Sequence, residues 1–186
     1  LATPVAAFTF AVNKMYNMKK NVFAILLLMI AVSGNAQKTH NVKFTFGPEL
    51  GFATGSFSNT HSIGLGGTVQ LEVPMQEHTN FTVFSGYISY NGKSVVNNVK
   101  YKGMGIIPLR GGIKHYFVGG GLYGGLQLGV GFYNNYGSGT AFSYAPLLGY
   151  EFRTRNGKPI DITGRYDAYS KNGTISAFNF RLGFTF

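Results

Sequence analysis

Nine charged residues hold most of the chemistry this chain can offer: Glu49, Glu72, Glu151, Asp161 and Asp167, with Arg110, Lys114, Arg165 and Arg181. Each lies in a stretch where apolar and polar residues alternate, and each falls on the polar phase. Period-two alternation places such residues on one face of a strand. Of the six acids, only Glu77 falls in a turn. Carboxylates beside guanidinium and ammonium groups, on a face withdrawn from water, must pair, because an unpaired buried charge is costly. The expectation is an ion-pair network in which Glu49, Glu72, Glu151 and Asp161 face Arg110, Arg165 and Arg181. The plainer alternative is charges scattered into solvent. It does not account for five acids of six sharing a phase.

Other chemistry is thin. There is no Cys, which removes disulfides, thiolate zinc sites and lipid attachment after a leader. Gly119 to Gly124 matches G-x-G-x-x-G, but a dinucleotide site needs a helix after that turn, and a strand pattern follows. His40, His61, His78 and His115 lie on separate segments without ligand spacing, so no metal and no cofactor is expected. A lipid-modifying enzyme would need a Ser/His pair with an acid. His61-Ser62 has no acid in the neighbouring turns, so no enzyme is expected.

The elements that must position the charges are strands. Alternation recurs at about 42–54, 61–73, 80–91, 99–117, 121–133, 141–152, 159–169 and 175–186, separated by turns rich in Gly, Asn and Ser. In the first, Phe44, Phe46, Leu50 and Phe52 oppose Lys43, Thr45, Gly47 and Glu49. In the second, Ile63, Leu65, Val69 and Leu71 oppose Ser62, Gly64, Gly66, Thr68, Gln70 and Glu72. In the third, Phe81, Val83 and Tyr87 compete with Phe84, Ile88 and Tyr90, which leaves its phase open and admits a bulge. The phase of the fourth is also open. Charged residues make up 12%, about half the usual share, against 45% hydrophobic, with 27 Gly and 17 Phe.

A soluble sandwich would show Lys and Glu on its outer faces to prevent aggregation. Here one face of nearly every strand is Phe, Leu and Tyr, and the other is Gly, Ser and Thr. The inverse arrangement fits: apolar out, small and polar in. The predicted fold is all-β, an eight-stranded antiparallel transmembrane β-barrel of up-and-down meander, both termini on the periplasmic side. Such an interior is only wide enough for side chains to fill. Inward glycines (Gly47, Gly51, Gly64, Gly66, Gly125, Gly129, Gly131, Gly183) leave room for long side chains. Tyr87, Tyr90, Tyr133, Tyr136, Tyr144 and Tyr169 lie near strand ends and suit aromatic belts.

A cleavable signal peptide precedes the barrel. Met18-Lys19-Lys20 is a basic start, 22–32 an apolar run too short to span a bilayer as a helix, and cleavage is expected between Ala36 and Gln37. Residues 1–17 do not fit the plan and are read as upstream translation, 18–36 as the signal peptide, 37–186 as the barrel domain. Loss of Lys14, Lys19 and Lys20 takes the formal charge from +10 to +7. A basic chain in the cytosol suggests nucleic acid. In an exported one, anionic lipid or lipopolysaccharide is the expected partner and nucleic acid is not.

The final strand alternates without a break and ends on an aromatic residue: Phe178, Phe180, Leu182, Phe184 and Phe186. Strands of this kind resemble the sorting signal read by the outer-membrane barrel assembly machine, which implies that machine and periplasmic chaperones as partners in biogenesis. Three segments carry a wider likeness: Gly86 to Lys93, Val99-Lys100-Tyr101 leading to Ile107-Pro108-Leu109, and Gly112 to Phe117. They resemble the small outer-membrane β-barrel domain family of Bacteroidota that includes PorT-like proteins, with His115 where that family has Tyr. The resemblance implies a barrel in the outer membrane and no catalytic residue. The role expected is a monomeric, non-enzymatic protein with a filled polar lumen, serving envelope integrity or surface contacts. A narrow solute channel, or a barrel subunit of a secretion or assembly complex, is the alternative.

Overall fold

The computed structural model describes residues 42–94, 100–117, 120–134, 139–153 and 158–186. The signal segment, the Ala36/Gln37 cleavage pair, His40, Gly119 and Tyr136 lie outside the described residues. Eight strands follow in order: β1 (Lys43–Thr54), β2 (His61–Gln76), β3 (Thr79–Gly92), β4 (Met104–Tyr116), β5 (Leu122–Tyr133), β6 (Gly139–Phe152), β7 (Ile160–Ser170) and β8 (Thr174–Thr185). One short 3-10 turn, Gly55–Asn59, links β1 to β2. Each strand pairs antiparallel with its sequence neighbours, and β1 pairs with β8, so the sheet closes into a barrel. The seam is finished by the exchange between Phe44 and Phe186: Phe44 N–H donates to the Phe186 carbonyl at 3.0 Å, and Phe186 N–H to the Phe44 carbonyl at 2.8 Å. Closure leaves no unpaired edge.

Alternation decides which side chains point where. On β8, Phe178, Phe180, Leu182 and Phe184 are exposed while Asn179, Arg181 and Thr185 are buried. The same holds around the ring, with Leu65 61%, Leu148 58% and Phe142 54% exposed. Such a continuous apolar coat suits hydrocarbon as its solvent.

Both open phases resolve to the even residues. Asn80, Thr82, Phe84, Ile88 and Tyr90 of β3 turn inward, as do Met104, Ile106, Arg110 and Lys114 of β4. The irregularities fall on β2 rather than β3, between His61 and Gly64 and between Pro74 and Gln76. The first of these puts His61, not Ser62, into the interior. β4 begins at Met104, not near 99, so the connection from β3 is longer than the sequence suggested. Three of the four prolines inside strands sit where one flanking ladder lapses: Pro48 beside β8, Pro108 beside β3, and Pro146 beside β7. A residue without an N–H is tolerated where no partner needs it.

The end at which β1 starts and β8 finishes is called the seam end. The opposite one, with the turns after β1, β3, β5 and β7, is the mouth end.

Candidate functional site

The lumen is filled by two charge clusters, each balanced. Nearest the seam end, Lys43, Lys114 and Arg181 meet Glu72, Glu151 and Asp161. Lys114 Nζ lies 2.8 Å from Glu72, 3.3 Å from Asp161 and 3.8 Å from Glu151. Lys43 bonds Glu151 at 2.8 Å, and Arg181 bonds Asp161 at 2.9 Å. Toward the middle, Arg110 and Arg165 meet Glu49 and Asp167. Arg110 reaches Asp167 at 2.7 Å, Arg165 Nε reaches it at 2.6 Å, and Arg165 also pairs with Glu49. Together that is five bases against five acids, all inside the ring.

These side chains come from β1, β2, β4, β6, β7 and β8, and most pairs bridge the lumen between strands that are not neighbours; Arg165–Asp167 lies within β7 and Arg181–Asp161 joins β8 to adjacent β7. Apart from Lys43, each is at least nine-tenths buried. Burying ions is favourable only where hydrogen bonds satisfy the remaining lone pairs and protons. Here they do. Glu72 accepts from Gln70 at 2.8 Å and Asn80 at 3.1 Å. Glu49 accepts from Thr68 at 2.8 Å. Asp161 accepts from Tyr123 and from Thr163, both at 2.6 Å. Phe84, fully buried, lies against the upper cluster, with the Arg165 guanidinium 4.0 Å from its ring centroid.

Above the charges the interior turns apolar. Phe57, Ile88, Tyr90, Met104, Ile106, Ala141, Tyr169 and Ala177 pack into one cluster at the mouth end. Phe57 comes from the 3-10 turn, which folds it inward against Tyr90 and His61, ring centroids 5.2 and 4.5 Å away. Two tyrosines join the layers. Their rings belong to the apolar cap and their hydroxyls to the polar network. Tyr90 donates to Asn179 at 2.7 Å, and Tyr169 accepts from Arg110 at 2.6 Å.

Of the eight inward glycines, Gly51, Gly64 and Gly131 make room for these rings, four lie against backbone carbonyls of a neighbouring strand, and none has an arginine side chain among its nearest atoms. A methyl group at Gly64 would lie 2.6 Å from the Tyr90 ring, and one at Gly131 would lie 2.4 Å from Tyr169. One at Gly149 would lie 2.2 Å from the Tyr123 hydroxyl. The aromatic-belt assignment of Tyr90, Tyr133 and Tyr169 is therefore corrected: Tyr90 and Tyr169 are buried inside and Tyr133 packs against the apolar cluster, whereas Tyr87 stands outward.

The structure places Glu49, Glu72, Arg110, Lys114, Glu151, Asp161, Arg165, Asp167 and Arg181 in the lumen, but the pairing differs from the expectation. Arg110 takes Asp167, and Glu72 and Glu151 are held by lysines. Lys43, Tyr116 and Asn179 also belong to the network and were not singled out. Tyr116 donates to Glu151 at 2.7 Å, and Asn179 to Asp167 at 2.7 Å. Their inward phase was the available signal.

His61 is buried rather than rimmed by solvent. Its Nε2 is 3.2 Å from the Lys102 carbonyl, which can only accept, so Nδ1 accepts from the Thr60 hydroxyl at 2.8 Å. That engagement leaves no Ser/His pair with Ser62, whose hydroxyl donates to the Asn91 carbonyl at 3.4 Å. His115 points outward near the seam end, where Thr79 Oγ1 lies 2.9 Å from it. Among the described residues no cluster of His and acids suits a metal.

At the mouth end a partly open cavity of about 500 Å³ lies above the cap, lined among others by Phe57, His61, Met104, Tyr133, Tyr169 and Lys171. The turns and strand ends there carry Lys93, Lys100, Lys102 and Lys171. No carboxylate faces them, since five of the six acids are in the lumen clusters and Glu77 is in the turn between β2 and β3.

No family model matches the chain, and no curated protein matches it by sequence. Solved structures do. Neisserial surface protein A shares 12% identity at a TM-score of 0.57, over 77% of this chain and 95% of its own. Ail, the attachment invasion locus protein of Yersinia pestis, shares 13% at 0.50, over 78% and 97%. Ail in complex with the heparin analogue sucrose octasulfate shares 14% at 0.52, over 79% and 100%. At these identities the likeness is one of fold: the chain has the closed eight-stranded barrel of these proteins.

Proposed function

We propose that this chain is a small integral outer-membrane barrel with a sealed lumen, non-enzymatic, acting in envelope integrity or surface contact. One observation carries the reading: an apolar coat on every strand encloses two neutral charge clusters and an aromatic cap. Lipid is the solvent that such a coat requires. A lumen filled from seam end to cap has no room for a solute path. The aromatic last strand, the expected leader and the segments resembling the Bacteroidota PorT-like group fit the same location. They keep outer-membrane lipid, lipopolysaccharide and the assembly machinery as its partners and a monomer as its state.

Reconstitution into planar bilayers tests the proposal. No steady conductance steps are expected; steady openings abolished by lumen substitutions would establish the channel reading instead. A chain that remains soluble and folded without detergent would overturn the membrane reading. Surface contact is favoured over a purely structural role by the four lysines at the mouth end, which face no carboxylate. A stoichiometric protein recovered from gently solubilised membranes would favour the complex-subunit reading.

A further inference from the structure

The mouth cavity has a feature that a purely structural cap does not need. Its walls are apolar and aromatic, from Phe57, Met104, Tyr133, Ala141, Tyr169 and Ile175, yet a lysine, Lys171, also lines it. Lys171 Nζ lies 6.0 Å from the Tyr133 ring centroid. No ion pair to a carboxylate holds it, although each lumenal base has one. A volume of about 500 Å³ is in the range of small-molecule sites, which are mostly apolar with a few placed polar groups.

We propose that this cavity binds a small water-borne anionic amphiphile: an aromatic or aliphatic body carrying a carboxylate, sulfate or phosphate group. The body would fill the space over Tyr169 and Phe57, and the acidic group would meet Lys171. The surroundings select the sign of charge. The six acids of the chain are spent in the lumen clusters or lie in the turn at the seam end, so the mouth repels cations and attracts anions.

The floor is preformed, because Tyr169 is held from below by Arg110 at 2.6 Å and Phe57 packs edge-on against Tyr90, itself held by Asn179 at 2.7 Å. Both ring nitrogens of His61 are engaged, so it acts as wall. Little ordering is left for the ligand to impose, which favours affinity. The cavity lies inside the ring of strands, whereas lipid tails lie outside it. A molecule arriving through water therefore fits better than a membrane lipid reaching over the rim.

The site deepens the sealed-barrel reading and rests on its fold, not on its membrane. The test uses the full barrel in zwitterionic nanodiscs, titrated with 4-(4-fluorophenyl)butyrate and with the corresponding neutral amide, followed by fluorine NMR against empty nanodiscs. The carboxylate should bind above the empty-disc background, and the amide about 10- to 100-fold more weakly, the range for one hydrogen bond to a charged group. Lys171→Met should weaken the carboxylate by a similar factor and leave the amide unchanged. Ile175→Trp should block both, and an unboiled-gel mobility shift establishes that each variant is folded. Should Ile175→Trp not fold, Lys171→Met decides alone.

Equal affinity for acid and amide, an unaffected Lys171→Met variant, or no binding above empty discs overturns the site. Doping the discs with anionic lipid should not displace the probe; displacement would reassign the site to a lipid headgroup and overturn the water-borne ligand. Steady conductance in planar bilayers would defeat the sealed lumen while leaving the acid-over-amide preference intact, so the two failures are distinguishable.

Discussion

Asp167 is the acid on which the upper charge cluster turns, and Asp167→Asn is the change that tests it. Its Oδ1 accepts from Arg110 at 2.7 Å and from Arg165 Nε at 2.6 Å. Its Oδ2 accepts from Asn179 at 2.7 Å and from Arg165 Nη2 at 3.3 Å. All four partners are donors. An amide keeps one acceptor and turns an NH₂ toward two of those donors, whichever way it is flipped. The cluster then holds two guanidinium groups against Glu49 alone. Removing one member of a buried, hydrogen-bonded ion pair costs about 3–5 kcal/mol, mostly because the partner is left uncompensated.

A companion variant separates that cause from simple loss of packing. Asp167→Asn with Arg110→Met removes the surplus cation, leaves Arg165 with Glu49, and sets an apolar chain beside Phe84. It should recover about half of the loss or more, since apolar replacement of a buried pair is often close to neutral. Urea titration in lipid vesicles is the assay, with the folded fraction read from unboiled-gel mobility, because the chain has no Trp for fluorescence. A loss below about 1 kcal/mol for Asp167→Asn, or a double variant no more stable than the single, refutes charge balance as the source of lumen stability.

Five further changes probe other layers. Gly47→Ala places a methyl group 1.9 Å from the Leu182 carbonyl oxygen and should cost about 1–3 kcal/mol in the same titration. Gly67→Ala, with nothing within 4 Å, should stay within about 1 kcal/mol of wild type. Tyr169→Phe deprives the buried Arg110 of an acceptor and should lose about 1–3 kcal/mol while leaving the ring in the cap. Phe186→Ser should lower the amount of barrel recovered in the outer-membrane fraction severalfold, whereas Phe142→Ser, an equally outward residue on β6, should not; equal effects would refute a sorting role for the last strand.

The barrel was legible in the sequence because a pleated strand has a strict period of two. Lipid outside and a narrow interior inside then reward opposite residue types on its faces. Phe178 to Phe186 could be read directly, as could the inward set of Glu49, Asp161 and Arg181. Where both phases are apolar, the period carries no information. β3 could not be phased because Phe84, Ile88 and Tyr90 are as apolar as Phe81, Val83 and Tyr87, and only packing inside the ring turns them in, Ile88 and Tyr90 under Phe57 and Phe84 against the Arg110 and Arg165 guanidiniums.

The bulge that swaps His61 for Ser62 is a register event between two strands, invisible along one. Pairing within the lumen is likewise a property of the closed ring. Arg110 on β4 meets Asp167 on β7 across the barrel, a distance the sequence does not encode. The sequence by itself thus determined the inward face of the strands whose alternation is clean and that the charges on it had to be matched. Tertiary structure alone decided who matches whom, that Tyr90 and Tyr169 rather than arginines occupy the space above Gly51, Gly64 and Gly131, and that a cavity with one lysine is left at the mouth. Strand periodicity is local, whereas contacts across a lumen depend on how all eight strands are staggered around it.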